Sequence, residues 1–171
     1  MVDPEDKFSE EVTRVPTRED LVRICRALND KHAHYVVVGG TAMIEAGLLR
    51  TTHGVDLLVD ASDENVGKVC DALTVLSDQA SRDVASDDVR NYTVVRINDE
   101  FTVDLMGKAC GLSYQDAVED IVWKDFDGVL IPFASLQLLW KTKQTYREKD
   151  ALDRSFLRKL FADRGIEPPS P

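Results

Sequence analysis

The stretch VVVGGTAMIEAGLLRTTHGVDLLVD, from Val36 to Asp60, decides how the chain folds. Tyr35 to Val38 is a β-branched run that stops at Gly39-Gly40, which reads as a buried strand followed by a tight turn. Thr41 is placed to cap a helix from Ala42 to about Leu49. Val55, Leu57 and Val59 then alternate with Gly54, Asp56 and Leu58, so a second strand has one apolar and one mixed face. Paired glycines after a strand let backbone N–H groups approach an anion with no Cβ between, and a helix starting there turns its positive end the same way. An ordinary turn would use the same two glycines, and the pattern downstream favours the anion reading. Asp56, set between Val55 and Leu57, is costly in such a strand unless it is paired or liganded. Asp60 lies roughly 13 Å further along an extended strand, too far to share its role, and reads as the strand end meeting solvent.

The flanking sequence extends the pattern on both sides. Thr17, with Asp20 at the capping-box position, opens a first helix whose apolar stripe is Leu21, Ile24, Cys25 and Leu28. Ser62 opens another, with Val66, Val69, Cys70, Leu73 and Leu76 on its inner side. Tyr92 to Ile97 and Glu100 to Met106 flank Asn98-Asp99, a hairpin-turn pair. In the second of those strands Phe101, Val103 and Leu105 share a face, leaving Asp104 on the other. Tyr114 to Glu119 makes a short helical piece, and Ile121 to Ile131 reads as a strand or hairpin around Asp127-Gly128. Two helical segments follow Pro132, from Ser135 to about Thr145 and from Glu148 to about Arg164.

The expected class is α+β (α/β-like), a small mixed β-sheet flanked by helices with a C-terminal helical segment. One domain spans residues 16–165, with the C-terminal helices at 135–164, a loosely held polar start at 1–15 and a proline-broken tail at 166–171. A net charge of −10, from 31 acidic and 21 basic residues, argues against a general nucleic-acid coat or an anionic-membrane binder. No apolar run approaches the ~20 residues of a membrane span. The acidic start and three scattered cysteines, read as buried free thiols, imply a cytoplasmic protein.

If the two aspartate strands are neighbours, Asp56 and Asp104 converge beside Gly39-Gly40 as hard oxygen ligands facing a phosphate cradle, which suits magnesium and a nucleoside triphosphate. At this point the chain resembles the nucleotidyltransferase fold of DNA polymerase β-like enzymes, and within it the minimal bacterial nucleotidyltransferases that include abortive-infection toxins of the AbiEii type. That branch has a strand, GG and a helix, then Arg-x-Thr-x-Asp-apolar-Asp on the next strand; this chain reads Gly39-Gly40-Thr41-Ala42, then Arg50-Thr51-Thr52-His53-Gly54-Val55-Asp56. A third carboxylate after an apolar residue matches Asp104 in Phe101-Thr102-Val103-Asp104-Leu105. Leu138-Leu139-Trp140-Lys141 and Arg147-Glu148-Lys149-Asp150-Ala151-Leu152-Asp153 match its lysine-bearing helix and the helix start that follows.

The resemblance implies an NTP and Mg2+ (or Mn2+) at Asp56 and Asp104. It further implies nucleotide contacts from Gly39, Gly40, Thr41, Arg50, Thr52, Lys141 and Lys149. A nucleotidyl group would pass to a hydroxyl on RNA such as tRNA, a protein or a small molecule, and a toxin role would bring an antitoxin-like partner. The departure is Gly54, which stands where the first metal carboxylate is expected and offers only a carbonyl committed to the sheet. Its loss implies the alternative: a catalytically impaired nucleotide-binding or interaction module. On their own residues, Arg50 reads equally as a helix-end salt bridge and Lys141 as a solvated lysine, while Asp150 and Asp153 read as structural. His53 lies on the wrong face to replace a ligand, and Trp123, Trp140 and Tyr146 read as core or rim aromatics.

Overall fold

The computed structural model describes residues 6–7 and 13–170. Among them a mixed sheet of seven strands runs in the order β1-β4-β5-β3-β2-β9-β8. The strands are β1 (Asp6–Lys7), β2 (Tyr35–Val38), β3 (Gly54–Val59), β4 (Val94–Asn98), β5 (Thr102–Met106), β8 (Ile121–Phe126) and β9 (Val129–Ala134). A separate two-stranded ribbon, β6 (Lys108–Ala109) with β7 (Leu112–Ser113), has no counterpart in the sequence reading. The helices are α1 (Arg18–Asp30), α2 (Gly39–Glu45), α3 (Asp63–Leu73), α4 (Asp88–Asn91), α5 (Tyr114–Ala117), α6 (Leu136–Thr142) and α7 (Glu148–Asp163). This is the helix-flanked mixed sheet that the sequence implies. The loosely held start expected over residues 1–15 falls mostly outside the described residues.

Local chemistry fixes the elements. Thr17 and Asp20 form the capping box of α1: Thr17 Oγ1 accepts from Asp20 N and Asp20 Oδ2 accepts from Thr17 N. Tyr35 reaches Asn29 of α1, so the pleat face with Tyr35, Val37, Val55 and Leu57 is the one α1 covers. Val38, Asp56 and Asp104 lie on the other face. Asn65, buried in the first turn of α3, accepts from His34 N at 2.7 Å and donates to His34 O at 3.0 Å and Asp60 O at 2.8 Å. One amide thereby stitches the start of β2 to the end of β3.

Several expectations need correction. Helix α2 begins at Gly39 with Val38 as its N-cap, so Thr41 does not cap it; its hydroxyl donates instead to Gly54 O at 3.4 Å. The loop between β4 and β5 is Asp99-Glu100-Phe101, with Asn98 paired to Thr102. Asp99 holds it in this form by accepting from the backbone N–H groups of Asp78, Ala80 and Glu100. The Ile121 region takes the expected hairpin form, its turn residues Asp127 and Gly128 both with positive φ, and β9 extends beyond Ile131 through Pro132 to Ala134. Of the cysteines only Cys25 is fully buried; Cys70 is half-buried and Cys110 exposed. Burial pushes the Cys25 thiol up to about 12. Trp140 is buried and donates to Pro169 O at 2.8 Å, whereas Trp123 and Tyr146 are exposed. No helix among the described residues is long and apolar enough to cross a membrane.

Helix α7 is anchored by buried charges. Asp153 places Oδ1 2.7 Å from Arg50 Nη1 and Oδ2 2.8 Å from Lys143 Nζ, and Asp150 places Oδ2 2.8 Å from Arg147 Nε. Lys143, Asp150 and Asp153 are all buried. Removing one member of such a group leaves the rest uncompensated, which costs about 3–5 kcal/mol. Asp153→Ala is therefore expected to lower unfolding free energy by about that amount in urea titrations, against less than about 0.5 kcal/mol for exposed Asp163→Ala.

Candidate functional site

Strand register lines up four residues across the sheet. Val38 of β2 pairs with Asp56 of β3, Asp56 with Asp104 of β5, and Asp104 with Arg96 of β4. Directly opposed residues project to the same face, so Arg96, Asp104 and Asp56 form a row that ends at Gly39. The convergence of Asp56 and Asp104 thus follows from a parallel β3–β5 pairing.

Gly39 has φ +64, a left-handed conformation that favours glycine, and a Cβ there would overlap Asp56 Oδ2. The Asp56 carboxylate therefore rests directly on the backbone at the start of α2. Burial is the main reason its pKa rises, and the negative charge of Asp104 adds to it, taking Asp56 from 3.8 to about 6. The cations of Lys143, Lys149 and Arg96 pull the other way.

Gly40 is a second point of close packing: a Cβ there would come within 2.8 Å of Thr52 Oγ1 and 3.2 Å of Arg50 Nη2. Arg50 spends Nη1 on Asp153, while its buried Nε and Nη2 have no hydrogen-bond partner. Buried donors left without an acceptor cost about 1–3 kcal/mol each, so an acceptor brought to this guanidinium gains from contacts the protein does not supply. Lys149 shares this neighbourhood. Desolvation and the cations of Arg50 and Lys143 lower its pKa, against the attraction of Asp56 and Asp153.

The sequence-predicted residues divide accordingly. Gly39, Gly40, Arg50, Asp56, Asp104 and Lys149 come together. Thr41 and Thr52 sit at the edge with their hydroxyls turned to Gly54 O, at 3.4 and 3.0 Å. Lys141 stays apart, 3.3 Å from Asp120 Oδ2. Lys143, two residues on, is the lysine that reaches the Asp150–Asp153 pair. Arg96 is the other residue that sequence reasoning missed: it grips Asp104 in a fork, Nε to Oδ1 at 2.9 Å and Nη2 to Oδ2 at 3.1 Å.

The donor set does not fit a two-metal centre. Gly54 brings no carboxylate, and a Cβ built on it would stand 2.6 Å from Thr102 O, so this position is packed for glycine. Both oxygens of Asp104 face Arg96, and two unit charges 4 Å apart interact by about 4 kcal/mol at an effective dielectric of 20. A divalent ion on Asp104 would meet that repulsion twice over. Among the described residues no group of three or more His, Cys, Asp or Glu gathers as a metal site. Two nitrogens of Arg50, by contrast, lack an acceptor, and Lys149 adds a second cation nearby.

No family model and no curated protein matches the chain. Among solved structures, the chain is similar to a Thermotoga maritima protein provisionally described as a nucleotidyltransferase, at 17% identity and a TM-score of 0.48. The likeness covers 88% of this chain and 98% of that one. It names no AbiEii-type branch.

Two outcomes follow from this geometry. Because the folded-state pKa of Asp56 is raised, its charging opposes folding. The penalty is absent below about pH 4, grows to about pH 6 and is full above it. Asp56→Asn should therefore stabilise the protein by about 2 kcal/mol at pH 8 and leave stability at pH 4 nearly unchanged, as measured by urea unfolding at both pH values. Gly54→Ala should cost about 1–3 kcal/mol through its clash with the Thr102 carbonyl, seen as a lowered melting temperature.

Proposed function

We propose that the protein is a nucleotidyltransferase-like module that binds the polyphosphate of a nucleoside triphosphate at the Gly39–Gly40 end of β2 and β3, and that its catalysis is impaired. The observation that carries this reading is the Arg50 guanidinium, with two buried N–H-bearing nitrogens unpartnered beside Gly40. Lys149 adds positive charge, and the backbone at Gly39 and Gly40 allows close approach. Impairment follows from Gly54 and from the Arg96 grip on Asp104, which together leave Asp56 as the one carboxylate of the row not held by a guanidinium.

Residual transfer is the second reading, favoured by Asp56. A carboxyl group pushed up to about 6 is suited to accept a proton near neutral pH. In that step an acceptor hydroxyl attacks the α-phosphorus and its proton passes to Asp56. The bond from the α-phosphorus to the bridging oxygen breaks, and pyrophosphate leaves. The acceptors that the sequence resemblance implies are tRNA, a protein side chain or a small molecule, and an antitoxin-like partner belongs to the same reading.

Calorimetric titration with ATP, GTP, CTP and UTP tests the binding. At least one is expected to bind, and Gly39→Ala, which pushes a methyl group into the Asp56 carboxylate, is expected to weaken it by tenfold or about 1.4 kcal/mol. Labelled NTPs incubated with tRNA and with the protein itself are expected to give little or no transfer. Rapid transfer would replace the impaired reading with an active one, and folded protein that binds no NTP would overturn the nucleotide reading altogether.

A further inference from the structure

Arg96 occupies an unusual place for a site of this kind. It belongs to a row in which the next two residues, Asp104 and Asp56, are the carboxylates that a cation would join. Its side chain is 23% exposed and that of Asp104 13%, so the pair is partly shielded from water, and both hydrogen bonds have good lengths. A guanidinium stays charged under all ordinary conditions and matches a carboxylate edge to edge. It is therefore a permanent positive charge fixed on Asp104, one strand away from Asp56, and it weakly favours the charged form of Asp56. Lys143 at the end of α6 and Lys149 in α7 act on Asp56 from the C-terminal helices, and Arg50 lies near Lys149. The carboxylates of the row thus face cations from two directions, all supplied by the chain.

The position of Gly54 fits the same arrangement. A side chain there would collide with Thr102 O, and Thr102 is itself tied to Asn98 at 2.8 Å and Thr13 at 2.8 Å. The space where another carboxylate would stand is closed by threonine, while the charge a metal would bring is present as arginine.

Resting on the nucleotide reading, we propose that Arg96, held by Asp104, takes the place of a divalent cation in this site, so that a polyphosphate binds without metal. The ligand class is a tri- or polyphosphate anion, free or as the tail of a nucleotide. Arg96 supplies fixed charge, Arg50 and Lys149 take phosphate oxygens, and Asp104 positions Arg96.

The test is binding of ATP and of inorganic tripolyphosphate to the full chain, by calorimetry in excess EDTA and in excess Mg2+, together with Mn2+ binding by electron paramagnetic resonance. Wild-type protein is expected to bind at least one of the two anions in EDTA within about threefold of its Mg2+ affinity, and to hold Mn2+ only weakly. Arg96→Met should lose about tenfold in EDTA and gain Mn2+ affinity, because Asp104 is released to join Asp56; Arg96→Lys should keep most of the EDTA binding. Anion binding by wild type that needs Mg2+, or tight Mn2+ binding by wild type, overturns the proposal and leaves the nucleotide reading standing. Unchanged EDTA binding in Arg96→Met also overturns it. Binding of neither anion under any condition overturns both. Should Arg96→Met fail to fold, the wild-type EDTA and Mn2+ measurements decide alone.

Discussion

A carboxylate that rests on a glycine backbone on one side and faces a second carboxylate on the other must find positive charge or give up its own. Asp56 is in that position because β3 pairs with β2 on one flank and β5 on the other, and the two registers bring Val38, Asp56 and Asp104 abreast. The rest of the site follows from this constraint. Arg96 answers the charge on Asp104, and Lys143 at the end of α6 and Lys149 in α7 act on Asp56 from the C-terminal helices. Gly39 is glycine because the carboxylate has already taken the space of a Cβ.

The C-terminal helices complete the arrangement through buried ion pairs as well as apolar packing. Asp153 joins Arg50, from the segment between α2 and β3, to Lys143 at the end of α6. This pairing draws Arg50 inward and leaves two of its nitrogens without partners next to Gly40. A structural ion pair and an anion-binding face are thereby two edges of one guanidinium. Buried pairs of this kind add little net stability, and losing one partner leaves the other's charge buried and uncompensated.

Much of this was legible in the sequence, and the omissions have physical causes. The alternation of Val55, Leu57 and Val59 around Asp56, and of Phe101, Val103 and Leu105 around Asp104, placed both aspartates on one face, since the pleat period is two. Arg96 was hidden by one residue of loop length. A two-residue turn at Asn98-Asp99 would set Asp104 opposite Thr93, whereas the three-residue loop, fixed by the Asp99 carboxylate, sets it opposite Arg96. Lys143 was missed because a helix carried on to Thr145 gives it no special direction. In fact α6 stops at Thr142 and Lys143, as its C-cap, turns in toward Asp150 and Asp153. Such contacts between distant segments depend on where elements end, which a periodicity read from sequence fixes least well.

The Asn65 amide has a mechanical consequence. It clamps the beginning of β2 to the end of β3 with three hydrogen bonds. At the opposite end the same two strands meet through Gly39, Gly40 and Gly54, and the bonds there to Gly54 O come from threonine hydroxyls at 3.0 and 3.4 Å. The strand pair is consequently pinned at both ends by different means, at one by a side-chain amide and at the other by backbone packed too closely for any Cβ at Gly39 or Gly54.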